Sequence, residues 1–140
     1  MNKQIEAYIR EGRIPFFNGL LTEDMNLLPA VVFQIGKSGF SIEIRNPVPF
    51  EVNERELIGF EILSERNISE RVLIISGEGS LGSDGFVLMQ EDEITRWILL
   101  FDNSNPLMIN GVDANNVIVC SDTGLKLSIG IHSPTKIEVL

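Results

Sequence analysis

Beyond Pro29 the chain is written mostly in short apolar runs, some strictly alternating with polar residues and some continuous, and helical spacing is confined to its beginning. There Ile5, Tyr8 and Ile9 fall at i, i+3, i+4, and Gly12 supplies a stop, which predicts a helix over about residues 2–11 with one apolar stripe docked on the remainder. Ile14-Pro15-Phe16-Phe17 reads as an extended entry before an Asn18-Gly19 turn. Thr22-Glu23-Asp24-Met25 resembles a helix N-terminus that Pro29 limits to a turn or two. Residues 30–35 form an apolar run. Residues 40–45 alternate, and Gly36-Lys37-Ser38-Gly39 between them predicts a hairpin. Asn46-Pro47-Val48-Pro49 interrupts pairing and marks an edge or crossing. Ile58, Phe60 and Ile62 alternate within residues 56–63, while Asn53-Glu54-Arg55-Glu56 offers a competing short helix.

The second half reads as a meander. Strands are expected over residues 72–76, 85–90, 94–102, 107–110, 117–121, 125–131 and 136–139. Turn chemistry separates them: Asn103-Ser104-Asn105-Pro106, Asn110-Gly111, Asp113-Ala114-Asn115-Asn116, Asp122-Thr123-Gly124 and Ser133-Pro134-Thr135. Strands at this spacing without intervening helices predict a mainly β fold, with α+β as the alternative class. The expected architecture is a single-domain antiparallel β-sandwich or partly closed barrel over residues 1–140 with an N-terminal helix. In Ile94-Thr95-Arg96-Trp97-Ile98-Leu99-Leu100-Phe101, alternation sets Trp97, Leu99 and Phe101 against Ile98 and Leu100, as in a central strand buried on both faces. The competing role for Trp97 is an interface anchor.

Composition changes this picture little, and charge changes it more. With 140 residues and 44% hydrophobic content, the chain can bury ~68% of its unfolded surface without staples and is not disordered. One cysteine, Cys120, forms no internal disulfide. Charges interrupt the apolar residues of the N-terminal segment, and no apolar run approaches a membrane span, so a cytoplasmic protein without membrane contact is expected. The net charge is −9, and residues 76–125 carry eight acids against one base, Arg96, a local balance of −7. Such a surface repels phosphate, which argues against nucleic acid as a partner, and it favours basic partners.

Candidate chemistry is sparse. Gly77-Glu78-Gly79-Ser80-Leu81-Gly82 matches G-x-G-x-x-G, but a strand-like run follows where a phosphate-binding helix is needed, so a flexible hairpin loop is expected. Asp102-Asn103-Ser104-Asn105 starts like a calcium loop, yet Leu107 and Asp113 occupy the positions of its Gly and Glu, and Asx turns account for it. His132 is the only histidine, expected in a turn, and Cys120 is expected as a buried thiol. Neither a Cys–His pair nor a zinc set has supporting spacing. Glu91-Asp92-Glu93 reads as an exposed acidic turn. No catalytic residue, metal or cofactor is assigned, and the chain is not expected to be an enzyme.

The stretch Trp97-Ile98-Leu99-Leu100-Phe101-Asp102-Asn103-Ser104-Asn105-Pro106, within residues 72–106, resembles a pattern in bacterial immunity proteins of contact-dependent inhibition and related polymorphic toxin systems. The resemblance implies a protein that binds a cognate toxin domain, often a basic nuclease, and blocks it. It gives the acids a use: Glu78, Asp84, Glu91, Asp92 and Glu93 are the expected partner-binding residues, steering a basic toxin by mimicking phosphates. Two other classes stay open, a small-ligand-binding β-barrel and a structural or assembly subunit acting by β-augmentation.

Overall fold

The computed structural model describes residues 1–140. Helix α1 (Lys3–Arg10) starts at Asn2, whose side-chain oxygen accepts a hydrogen bond from the Ile5 amide at 2.9 Å, and it buries Ile5. Thirteen strands follow: β1 (Arg13–Pro15), β2 (Gly19–Thr22), β3 (Asn26–Ile35), β4 (Gly39–Ile44), β5 (Val48–Pro49), β6 (Leu57–Asn67), β7 (Val72–Gly79), β8 (Gly85–Glu91), β9 (Ile94–Phe101), β10 (Met108–Val112), β11 (Asn116–Cys120), β12 (Lys126–Gly130) and β13 (Ile137–Val139). A 3₁₀ turn at Glu54–Glu56 precedes β6, so both elements foreseen in this region form in succession.

Every strand pair is antiparallel. The nine-stranded sheet runs β1-β6-β7-β8-β9-β2-β3-β4, with β5 beside β3, and the four-stranded sheet runs β10-β11-β12-β13. Strand makes up 55% of the chain and helix 8%, and the sheets are not closed into a barrel. The arrangement is a β-sandwich with a short N-terminal helix.

Continuous apolar runs arise in β8 and β9 because these central strands of the large sheet are covered on both faces. On one face Val87, Met89, Trp97, Leu99 and Phe101 pack with Val117, Val119, Leu127 and Ile129 of the small sheet. On the other, Phe86, Leu88, Ile98 and Leu100 pack with Ile5 of α1, Ile14 of β1 and Phe17. At ~25 cal/mol per Å² of apolar area removed from water, two such layers over β8 and β9 make these strands the energetic centre of the molecule.

Three local expectations are corrected. Thr22-Glu23-Asp24-Met25 is not a helix start but the turn between β2 and β3, with Met25 at φ 64, and Pro29 lies inside β3 where that strand passes from β2 to β4 as its partner. Gly77 and Gly79 belong to β7 and not to a flexible loop. A Cβ on Gly77 would stand 2.0 Å from the Glu61 carbonyl oxygen, so close approach of β6 demands glycine there. Asn110-Gly111 is not a turn but lies inside β10, where the register with β11 shifts in a bulge.

Candidate functional site

One end of the sandwich gathers acid-bearing turns from distant parts of the sequence. The β8–β9 connection is a two-residue turn: Glu91 pairs with Ile94, while Asp92 and Glu93 take φ of 53° and 66°. Both central residues at positive φ define the type I′ hairpin, whose twist matches the flanking strands. Arg71, in the β6–β7 connection, grips Asp92 with two hydrogen bonds, Nε at 2.9 Å and Nη2 at 2.5 Å, and its carbonyl accepts from the Asp92 amide at 2.8 Å. The paired guanidinium holds the Asp92 carboxyl below the usual carboxylate range.

The β2–β3 turn arrives beside this hairpin because Thr22 pairs with Trp97 across β2 and β9. Arg96 then lies between two glutamates, with Nη1 2.7 Å from Glu23 Oε2 and Nε 3.6 Å from Glu91 Oε1. The second contact is an ion pair too long for a hydrogen bond, and Nε is buried without any hydrogen-bond partner. Hydrogen bonds from the Thr22 hydroxyl and then Asn26 hold the Asp24 carboxyl below its ordinary value.

Ile131, His132 and Pro134, between β12 and β13, form the opposite wall of an open cleft of about 590 Å³. Thr22, Glu23, Asp24, Glu91 and Arg96 line its polar side, and Met89 and Trp97 lie at its base. Trp97 is only 2% exposed, and its indole N–H donates to the Ile131 carbonyl at 2.9 Å, tying the two sheets together at this point. Its side chain belongs to the core and also borders the cleft.

The five acids singled out from the sequence do not form one surface. Glu91, Asp92 and Glu93 share the end just described. Glu78 lies toward the other end of the β7–β8 hairpin, opposite Glu61 on β6. Six residue steps along β8 separate the two ends, roughly 20 Å at ~3.3 Å per residue. Asp84 is not a surface residue at all: it is 0% exposed, packed over the α-carbon of Gly79 beside Ile58, with both carboxylate oxygens lacking hydrogen-bond partners. A buried side chain cannot meet a partner, and the reason it is buried is the missing side chain of Gly79, which leaves room for it. The structure adds Glu23 and Asp24 to the acidic end. Their own acidity was visible in the sequence, but the register that delivers Glu23 to Arg96, 73 residues away, was not.

The remaining chemistries find no geometry. Cys120 is half-buried at one end of β11, and His132 follows β12 beyond Gly130, which pairs with Asn116 at the opposite end; four strand steps, about 14 Å, lie between those ends. The calcium-like segment is spent on structure: the Asp102 amide donates to Asn18 Oδ1 at 2.7 Å, Asn103 donates to the Val32 carbonyl, and Asn105 donates to Asp122. No three His, Cys, Asp or Glu side chains converge as a metal-binding group. No helix is long and apolar enough to cross a membrane.

Fold and site together define an open antiparallel β-sandwich with an acidic cleft at one end. Comparison with protein families, with curated proteins and with solved structures finds no match to this chain.

Proposed function

We propose that this protein is a binding module that neutralises a basic partner protein, in the manner of an immunity protein bound to its toxin domain, through the acidic end of the sandwich. The observation that carries the proposal is the gathering of three turns at that end. Glu23, Asp24, Glu70, Glu91, Asp92 and Glu93 stand on or beside those turns with Arg71 and Arg96, six acids against two bases, while the N-terminal ammonium on Thr95 is matched by Glu6. The turns are fixed by hairpin ladders and by the Arg71–Asp92 and Arg96–Glu23 pairs, so little ordering is needed on association. Exposed acids of this kind act mainly on encounter, raising the association rate with a basic surface.

The test is capture of the partner from the protein's own source cells on immobilised protein, with elution by rising salt. One basic polypeptide should elute early in the gradient. Neutralising Glu91, Asp92 and Glu93 together should slow its association about tenfold at low salt and flatten the salt dependence. Co-expression should then relieve whatever toxicity the partner causes. A partner whose association rate ignores both salt and the triple substitution would remove the acidic end from the mechanism.

One observation favours the β-augmentation alternative. β4 is the terminal strand of the large sheet, and its neighbour β3 presents Val31, Phe33 and Ile35 outward, 47%, 43% and 54% exposed. Salt-insensitive capture, lost on Phe33→Ser, would move the interface to that edge. The sheets are not closed into a barrel, so a small ligand would have no barrel interior to occupy and only the open cleft to bind in.

A further inference from the structure

We infer that the free edge of β4 pairs with β4 of a second copy, antiparallel about a two-fold axis at Ile44, so that the large sheet runs on through a dimer. The inference goes beyond the partner reading and uses a different surface. β4 is the last strand of the large sheet and pairs only with β3. The Arg45 amide donates to the Pro29 carbonyl, so alternation turns the backbone groups of residues 41, 43 and 45 toward β3. The amides and carbonyls of Phe40, Ile42 and Ile44 are left pointing outward from the sheet.

The other edges are blunted, and this one is not. β6 carries Glu61, Glu65 and Arg66 along the part that β1 leaves open, and its register breaks between Ile62 and Ser64. β10 has a register shift of its own, while β1 and β13 are three residues long. Short strands, bulges and edge charges are the devices that prevent edge pairing. β4 instead pairs with β3 over six consecutive residues without a shift, and it contains no proline. The net charge of −9 opposes self-association elsewhere, but residues 30–46 carry Lys37 and Arg45 against Glu43, a local balance of +1.

Charge selects both the second copy and the register. Glu43 and Arg45 are exposed on one face of the strand, two residues apart, with Oε1 and Nε at 3.7 Å. A two-fold axis at Ile44 makes Ile44 and its counterpart a hydrogen-bonded pair. Glu43 of each copy then stands opposite Arg45 of the other in the closer, non-hydrogen-bonded pairing, which gives two ion pairs. On the inner face Ile44, partly buried against the core, is covered further by its counterpart. An axis at Glu43 sets the two glutamates against each other, and an axis at Arg45 does the same to the arginines. An axis at Ile42 sets Glu43 against Ser41 and Arg45 against Gly39. Only the Ile44 axis matches every charge. Pairing along one strand covers less than the ~1,600 Å² of a standard interface, so the dimer is weak, with a Kd on the order of 10–100 μM.

Sedimentation velocity of the full chain over about 5–500 μM tests the inference. The expected result is a monomer–dimer equilibrium that Glu43→Arg and Arg45→Glu each weaken about tenfold or more, since each turns two attractions into repulsions. Mixed in equal amounts, the two variants should associate as tightly as wild type, because one then presents two positive charges and the other two negative ones. Recovery on mixing also shows that both variants are folded. Asp92→Asn/Glu93→Gln, at the acidic end, leaves the equilibrium unchanged. A chain that stays monomeric over the whole range overturns the inference, as does a dimer indifferent to both substitutions or one that mixing does not restore. The two proposals fail separately: a monomeric protein that still captures a basic partner keeps the proposed function and loses this interface.

Discussion

Asp84→Asn should stabilise this protein. The wild-type carboxylate is fully buried over Gly79, against Ile58, and neither oxygen has a hydrogen-bond partner. A buried polar group without partners costs about 1–3 kcal/mol, and a charged one more, because water's hydrogen bonds are lost and not replaced. Asparagine keeps the shape, so it opens no cavity, and it removes the charge while retaining a polar tip. Asparagine still bears the neutral cost, so the expected gain is only the excess borne by the charged group, on the order of 1–3 kcal/mol. For 140 residues, an unfolding entropy of ~2.1 cal/mol/K per residue amounts to about 0.3 kcal/mol/K, so the midpoint should rise by roughly 3–10 °C. Calorimetry supplies the midpoint and urea titration the free energy, with an unchanged m-value showing that the unfolded state is not responsible. Asp84→Ala provides a second check: it removes the charge and the unpaired polar tip together and leaves a small void that costs about 1 kcal/mol, so it too should exceed wild type. A loss of stability in Asp84→Asn refutes the reasoning and shows the carboxylate engaged with a hidden partner.

The other expectations concern backbone geometry and acid. Glu93→Gly should stabilise by about 0.5–1 kcal/mol in urea titration, since a non-glycine residue at φ 66 pays about 1–2 kcal/mol and glycine's unfolded-state freedom returns part of it. The same substitution should slow partner association, so stability and binding move in opposite directions. Gly77→Ala should destabilise by about 3 kcal/mol or more, lowering the midpoint by roughly 10 °C, because the new Cβ stands 2.0 Å from the Glu61 carbonyl and β6 must shift. Asp113 accepts from the amides of Asn115 and Asn116, and these bonds hold its carboxyl below the ordinary 3.8, as Arg71 does for Asp92. Their contribution is complete above 3.8 and disappears as pH falls through the lower folded-state values, so urea midpoints should be level between pH 7 and 5 and decline below about pH 4. Asp113→Asn should flatten part of that acidic decline.

Local chemistry wrote much of the fold into the sequence. The run 86–89 marked a strand and the run 97–101 a strand buried on both faces, and Asp122-Thr123-Gly124 and Ser133-Pro134-Thr135 fall between the strands they were expected to separate. What stayed hidden depends on partners distant along the chain. Gly77 and Gly79 looked like loop glycines because their neighbours in sequence are glycine and serine. Their cause is the Glu61 carbonyl in one case and the Asp84 carboxylate in the other. Asp84 was expected among the partner-binding acids, but it lies enclosed at the β7–β8 connection over Gly79. The Asp92-Glu93 turn was legible as an acidic exposed turn, but the assembly of Glu23 with Arg96 required the β2–β9 register, which no local pattern contains.

That register also changes the arithmetic of recognition. Read along the chain, residues 76–125 carry −7, but charge acts through space, over a Debye length of about 8–10 Å at physiological salt. Glu78 stands roughly 20 Å along the hairpin from the β8–β9 turn, about two Debye lengths, so a partner docked on the acidic end scarcely feels it. Asp84 is enclosed, and Asp92 and Glu91 are partly compensated by Arg71 and Arg96. The field a partner meets is therefore set mainly by Glu23, Asp24, Glu70, Glu91, Asp92 and Glu93 against Arg71 and Arg96, a balance of −4, with Asp24, Glu70 and Glu93 outside any ion pair. Both faces of β8 and β9 are covered by packing, so these two strands present acids only at their ends. Removing Glu78 should accordingly leave the salt dependence of partner association unchanged, while removing Asp24 from the β2–β3 turn should reduce it, although Glu78 lies far closer in sequence to the acidic turn.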